Sequence, residues 1–214
     1  MPGSKLGPRL VKGALVVVES GGPPRSIVFQ YNPHTLTRKL QARRPEKSES
    51  GGGGPRLSGP PKESISLEVE IDATDQLDAG SEQAERVGIH PELALLEGLL
   101  YPSSGAIKKL TSLLGSGEME IVPPAAPLVL FVWGSKRVVP VRIDEFSVTE
   151  EAYDPDLNPL RAKVSLGLGV LSYEDLSRSH PGYHVYLSHH IVKETMEQLG
   201  GANQAGQQQI EGLL

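Results

Sequence analysis

The chain has 214 residues, enough for one main domain with a sizeable hydrophobic core. Aromatic residues make up only 5% of it, while 24 glycines and 18 prolines favour strands and turns over a helical bundle. The net charge is −5 and the basic residues are scattered, which argues against a nucleic-acid-binding protein. The absence of cysteine excludes disulfides and thiol chemistry.

Two short segments near the N-terminus predict a β-hairpin. Residues 14–18 are Ala-Leu-Val-Val-Val, too short and too β-branched for a helix, and a Ser-Gly-Gly-Pro-Pro turn sequence follows at residues 20–24. Residues 26–31 come at hairpin distance and end at Asn32-Pro33, where proline keeps its predecessor out of the helical conformation. We therefore predict that the two segments pair as antiparallel strands.

Residues 41–63 are rich in glycine, proline, serine and charged residues and contain almost no apolar side chains. Such a segment cannot offset its own ordering entropy by burial. We predict a mobile loop that becomes ordered on a partner.

Residues 64–72 show the clearest strand pattern, because apolar and polar side chains alternate. The apolar positions are Ile65, Leu67, Val69 and Ile71. Residues 128–133 are apolar throughout, which is typical of a strand buried on both faces or lying at an interface.

The two following strands carry irregularities. Residues 137–149 change the parity of their apolar positions near Asp144-Glu145, which predicts a β-bulge. Residues 161–171 alternate again, and we expect Gly167 and Gly169 to leave room for the close approach of another backbone.

Helical spacing predicts three helices, at residues 89–100, 107–114 and 186–199. The first has Pro91 in its first turn. Its apolar face is formed by Leu93, Leu96, Leu99 and Leu100, and that of the last helix by Leu187, Ile191, Met196 and Leu199.

Together these elements predict a mainly β fold with short helices (α+β), in which an antiparallel sheet forms a barrel or sandwich. We expect a β-domain at residues 1–173 with a flexible insertion at 41–63. A C-terminal helical extension with a loose tail is expected at residues 174–214.

The sequence offers weak candidates for chemistry. The residues with metal-ligand potential are His180, His184, His189 and His190. Pro181-Gly182 would break a helix that linked His180 to His184. A second candidate set, Asp72, Asp75 and Asp78, lacks the spacing of a calcium-binding loop, and we interpret these residues as solvated turn residues. We expect no catalytic residue, cofactor or metal, while a metal- or ligand-binding β-barrel that uses residues 180–190 stays open as an alternative.

Residues 1–10 lack the basic flank and apolar core of a signal peptide, and no apolar run approaches the about 20 residues needed to cross a bilayer. We expect a soluble protein of the cytoplasm without an export signal or membrane contact.

Three segments together resemble the tube-type proteins of contractile injection systems. Residues 29–36, Phe-Gln-Tyr-Asn-Pro-His-Thr-Leu, are similar to that family's aromatic-x-Tyr-Asn-Pro-x-x-Leu signature. Residues 130–134 resemble its apolar strand ending in Trp-Gly, and residues 158–162 its Gly-x-Pro-Leu-Arg-Ala element. Two features depart from the family: Asn158 stands where glycine is usual, and no LysM-like module follows Tyr173.

The resemblance implies a non-enzymatic β-barrel of the phage tail-tube type that joins copies through sheet edges into a hexameric ring. The residues expected at the subunit or partner interface are Tyr31, Asn32, Pro33, Trp133, Gly134, Pro159 and Arg161, with Arg161 able to pair with a carboxylate. The loop at residues 41–63 is expected to clasp a partner through Arg43, Arg44 and Arg56.

Within that family we favour a ring that adapts the inner tube to the baseplate and spike, because the long insertion and the C-terminal extension suit a specialised ring. The inner tube protein itself is the alternative. The expected partners are copies of this chain and the tube, spike or hub, and baseplate proteins, without nucleic acid. The assembly is expected in the cytoplasm, with release as part of an extracellular particle.

Overall fold

The structure, a computed structural model, describes residues 11–18, 23–44, 57–115 and 126–201. In chain order its elements are β1 (Ala14–Val18), β2 (Arg25–Val28), β3 (Leu36–Gln41), β4 (Lys62–Asp72), α1 (Thr74–Asp78), α2 (Glu82–Val87), α3 (His90–Glu97), α4 (Ser104–Gly115), β5 (Leu128–Val132), β6 (Val138–Tyr153), β7 (Pro159–Val170) and α5 (Pro181–Gly201). The predicted class, mainly β with short helices, is confirmed.

The strands form one antiparallel sheet in the order β2-β1-β5-β6-β7-β4-β3. The predicted hairpin is present, with Ala14 opposite Val28. Strand β5 lies between β1 and β6, and none of its residues is exposed on either face of the sheet, which agrees with its apolar sequence. Within the described residues the edge strands β2 and β3 do not pair with each other, so the sheet is open and main-chain pairing does not close it into a barrel.

One hydrophobic core lies against the inner face of the sheet. The alternation predicted for β4 is confirmed, since its four apolar residues are buried. Helix α3 adds Leu93 and Leu96 to this core, and Leu99 packs against it, whereas Leu100 is exposed. The predicted proline lies in the first turn of α3.

The predicted bulge in β6 is confirmed. The register between β6 and β7 shifts between Ile143 and Glu145, so Asp144 is the extra residue. The groups that approach the glycines of β7 are side chains rather than another backbone. A Cβ on Gly167 would lie 2.9 Å from the Cβ of Glu145, and one on Gly169 would collide with the Asp144 carboxylate.

Three elements were not predicted: β3, α1 and α2. Strand β3 places Arg38 on its inner face opposite Ile65, and this interrupts the apolar alternation from which strands are recognised. Helices α1 and α2 span five and six residues, too few for a helical period to become visible.

Helix α5 is longer than predicted and packs with a different face. Its buried residues are Gly182, Tyr186 and His189, whereas Leu187 and Ile191 are exposed. No helix in the described ranges is long and apolar enough to span a membrane.

Candidate functional site

The Tyr-Asn-Pro segment is attached to the residues before β1 by a side-chain amide. Asn32 accepts a hydrogen bond from the N–H of Gly13 at 2.8 Å and donates one to the carbonyl of Val11 at 2.9 Å. The N–H of Phe29 adds a bond to the carbonyl of Gly13 at 2.9 Å. Because Pro33 has no N–H to donate, the amide of Asn32 does what strand pairing would otherwise do.

The second motif meets the first at Gly13. A Cβ on this glycine would lie 2.7 Å from two ring carbons of Trp133 and 2.9 Å from the ring of Phe29. Trp133 also stacks on Phe131, with ring centroids 6.0 Å apart. The Trp-Gly turn itself depends on Gly134, whose φ of 68° lies in the left-handed region.

Gln30 links the loop after β2 to the end of β4. Its amide nitrogen donates to the carbonyl of Asp72 at 2.7 Å, and its amide oxygen accepts from the N–H of Asp72 at 3.0 Å. One side chain therefore replaces a pair of main-chain ladder bonds. The two sides of the open sheet are joined at this point by an amide side chain.

The third motif joins the same residue. The guanidinium of Arg161 lies 2.7 Å from Oδ2 of Asp72 through both Nε and Nη2. The N–H of Thr74 donates to the other carboxylate oxygen at 2.8 Å. Burial alone would raise the pKa of Asp72, but these hydrogen bonds outweigh it and lower the pKa. Asp72 is 9% exposed, so its interpretation as a solvated turn residue was wrong, and it is the carboxylate that pairs with Arg161.

Asn158 lies in the turn between β6 and β7 and has a local role. Its side-chain amide donates to Asp154 at 2.8 Å, and its N–H donates to the same carboxylate at 2.8 Å, which fixes the turn between β6 and β7. The next residue, Pro159, is buried and accepts a hydrogen bond from the N–H of Ile89 at 2.9 Å. Asn158 therefore stabilises this turn.

The interface residues predicted from the sequence converge, but most of them also hold the chain together. Pro159 is buried, and Asn32, Pro33, Trp133 and Gly134 are half-buried. Tyr31 is 43% exposed, and the side chain of Arg161 is 46% exposed. Their role in an interface stays a prediction, and Tyr31 and Arg161 offer the most accessible surface.

The loop residues have different surroundings. Arg43 forms ion pairs with Glu174 and Asp175 of the same chain, so its guanidinium is engaged at the base of the insertion. Arg44 is exposed, and Arg56 lies outside the described residues. Gln41 and Lys62, near the ends of the predicted loop, belong to strands β3 and β4.

The four histidines do not converge on one point. His180 accepts a hydrogen bond from the N–H of Gly182, His184 contacts the ring of Tyr183, and His190 stacks on Tyr173. His189 is buried. No group of three metal-ligating side chains is found among the residues that the structure describes.

Sequence reasoning did not identify Gly13, Gln30 or Asp72 as parts of this site. Gln30 stands inside the Tyr-Asn-Pro motif, and Asp72 ends the alternation of β4 at a polar position. These sequence positions mark Gln30 and Asp72 as noteworthy, but they do not predict that the two residues contact each other.

Comparison with known proteins gives a family. No curated protein matches the sequence. A chain from the tail of an empty gene transfer agent particle is 12% identical, with 74% of this chain and 90% of that chain covered and a TM-score of 0.29. A chain from the virion of a native gene transfer agent particle is 10% identical, with coverages of 74% and 95% and a TM-score of 0.26. The family model of the contractile injection system tube protein matches residues 17–172, more than half of the chain, and the chain therefore belongs to this family.

Proposed function

We propose that this chain forms a hexameric ring that joins the inner tube of a contractile injection particle to its baseplate and spike. The observation that carries the proposal is the open sheet, whose edge strands β2 and β3 each have one side without a strand partner in the described residues. Free N–H and C=O groups along an edge pair readily with the edge of another chain. Pairing of β2 in one copy with β3 in the next would continue the sheet around a ring.

Exposed side chains on both edges support this pairing. Val28 on β2 is 56% exposed and Leu40 on β3 is 49% exposed, so each edge presents an apolar side chain that a neighbour would cover. Tyr31 lies three residues after the end of β2 and adds a 43% exposed aromatic side chain near this edge. The hydrogen bonds of Gln30 and Arg161 to Asp72 would fix the conformation of that surface.

The adaptor position is supported by the part of the chain beyond the family match. That match ends at residue 172, and α5 follows it. The helix is tied to the sheet by Lys193, whose ammonium lies 3.1 Å from Glu63, and Arg43 binds Glu174 just before it. The subunit thus carries an additional surface. An adaptor ring needs such a surface because it contacts proteins other than the tube.

The mechanism under this proposal is mechanical. Edge strands donate main-chain hydrogen bonds across subunits and make a stiff ring, and the chain makes or breaks no covalent bond. Assembly would take place in the cytoplasm, and the finished particle would be released from the cell.

The test is the mass of the purified protein with its neighbouring tail proteins, followed by electron microscopy. We expect about six copies in a ring. An adaptor should form one ring in each particle, whereas the inner tube protein should form many. Val28→Glu should prevent ring formation, whereas Leu100→Glu, at a residue of 44% exposure outside the sheet, should not. A strict monomer in the presence of the neighbours, or equal assembly by the two variants, would contradict the proposal.

A further inference from the structure

A cleft of about 420 Å³ lies where β3, the turn between β5 and β6, and α5 meet. The cationic side chains that line it come from all three elements and are Arg38, Lys136, Arg137 and Lys193. The ring of Trp133 forms part of the same wall. A concentration of positive charge in one cleft is unusual in a chain whose net charge is −5.

The positive charge of the cleft is only partly neutralised. Glu63 is buried and binds Arg38 at 2.6 Å and Lys193 at 3.1 Å. Lys136 and Arg137 make no ion pair within the described part of the chain. Burial and the nearby charge of Arg38 lower the pKa of Arg137, and the charge of Glu63 offsets this only in part.

His189 gives an independent indication of a missing partner. It is 7% exposed and lines the cleft, yet neither ring nitrogen has a hydrogen-bond partner. Burial, with a smaller contribution from Lys193, lowers its pKa to about 4, so the ring is neutral at neutral pH and has one N–H to donate. A buried donor without an acceptor destabilises a structure, and a bound anion would supply that acceptor.

An apolar cleft of about 320 Å³ adjoins the basic one. The two share Lys136, His189 and Val192, and the second adds Val138 and Val185. They form a groove along α5 that is basic at one end and more apolar at the other. A ligand that fills it must carry negative charge and an apolar group close together.

We propose that this groove binds an acidic segment of another protein, with carboxylates in the basic cleft and an apolar side chain beside Val138 and Val185. The four cations converge on one cleft and do not follow a long stripe, which favours a short peptide over a nucleic-acid backbone. This inference does not depend on ring formation.

Binding can be measured through Trp133, because the chain contains one tryptophan and it lines the cleft. The probe is a blocked peptide, Glu-Glu-Leu-Glu-Glu-Leu-Glu-Glu, and its control replaces every glutamate with glutamine. We expect the glutamate peptide to change the fluorescence and to bind at least about tenfold more tightly than the control. Its affinity should fall as sodium chloride is added.

The double variant Lys136→Gln/Arg137→Gln should weaken peptide binding about tenfold. Lys39→Gln is the matched control, because Lys39 follows Arg38 in β3, opposite the outward-facing Ser64, and is exposed. Thermal melting identifies a variant that has lost its fold. The single variant Lys136→Gln, at an exposed residue, provides the same test with little risk to folding.

A second readout concerns His189, which faces Lys193, Glu63, Arg38 and Arg137. Its NMR titration should move to higher pH with the glutamate peptide and not with the glutamine peptide. Absence of peptide binding, equal binding by the double variant, or tighter binding of a single-stranded oligonucleotide than of the peptide would overturn the proposal.

Discussion

Replacing Gln30 with methionine should destabilise the protein by about 3 kcal/mol. Methionine keeps the length of the side chain but removes both hydrogen bonds to the main chain of Asp72, at 2.7 and 3.0 Å. Because Asp72 is 9% exposed, its N–H and C=O regain little water. Leaving a buried N–H or C=O group without a hydrogen bond costs about 1–3 kcal/mol. For the two groups together we take about 3 kcal/mol, because a little water reaches one of them.

A loss of this size corresponds to a fall in melting temperature of about 9 °C for a chain of this length. Circular dichroism during heating measures it directly. Gln41→Met is the control, because Gln41 is an exposed residue of β3, and we expect a change within about 0.5 kcal/mol. If the two variants melt within about 2 °C of each other, the amide of Gln30 does not hold the sheet together and the reasoning is refuted.

Two further changes test the polar and apolar contacts of the core. Burial alone would raise the pKa of Glu63, but Lys193 and Arg38 hold this pKa below its ordinary value of 4.5. The ion pairs therefore stabilise the fold above about pH 4.5. This contribution is lost as the pH falls through the lower pKa of the folded state. Glu63→Gln should therefore cost about 2 kcal/mol at pH 7 and less at pH 3, as measured by melting, and an equal loss at both would contradict the ion-pair argument. Gly13→Ala should cost about 2 kcal/mol in urea unfolding because its methyl group meets Trp133, and an unchanged midpoint would show that the ring moves aside at little cost.

Features that depend on local spacing were predictable from the sequence. The alternation of β4 follows from the period of two in a strand, and its buried face was predicted residue by residue. The bulge in β6 was predictable because one extra residue moves all later apolar side chains to the other parity. Helix α3 was predictable because Leu93 and Leu96 have helical spacing after a proline.

The polar links of the candidate site were not predictable, because they join residues far apart in the chain. Gln30 and Asp72 are separated by 42 positions, and Arg161 and Asp72 by 89. Their meeting depends on the strand order and on the curvature of the sheet, which local patterns do not encode. Strand β3 was missed for a related reason, since Arg38 faces inward only because a buried carboxylate lies on the neighbouring strand.

The bulge of β6 couples two stretches of sequence. The extra residue, Asp144, places its carboxylate over Gly169, and Glu145 places its Cβ over Gly167, so a larger side chain at either glycine requires one of these side chains to move. We expect a relative that lacks this residue to accept valine or threonine more readily at both places. Insertion in one strand and glycine in the next are therefore expected to be gained and lost together during evolution, and an alignment can be inspected for this pairing.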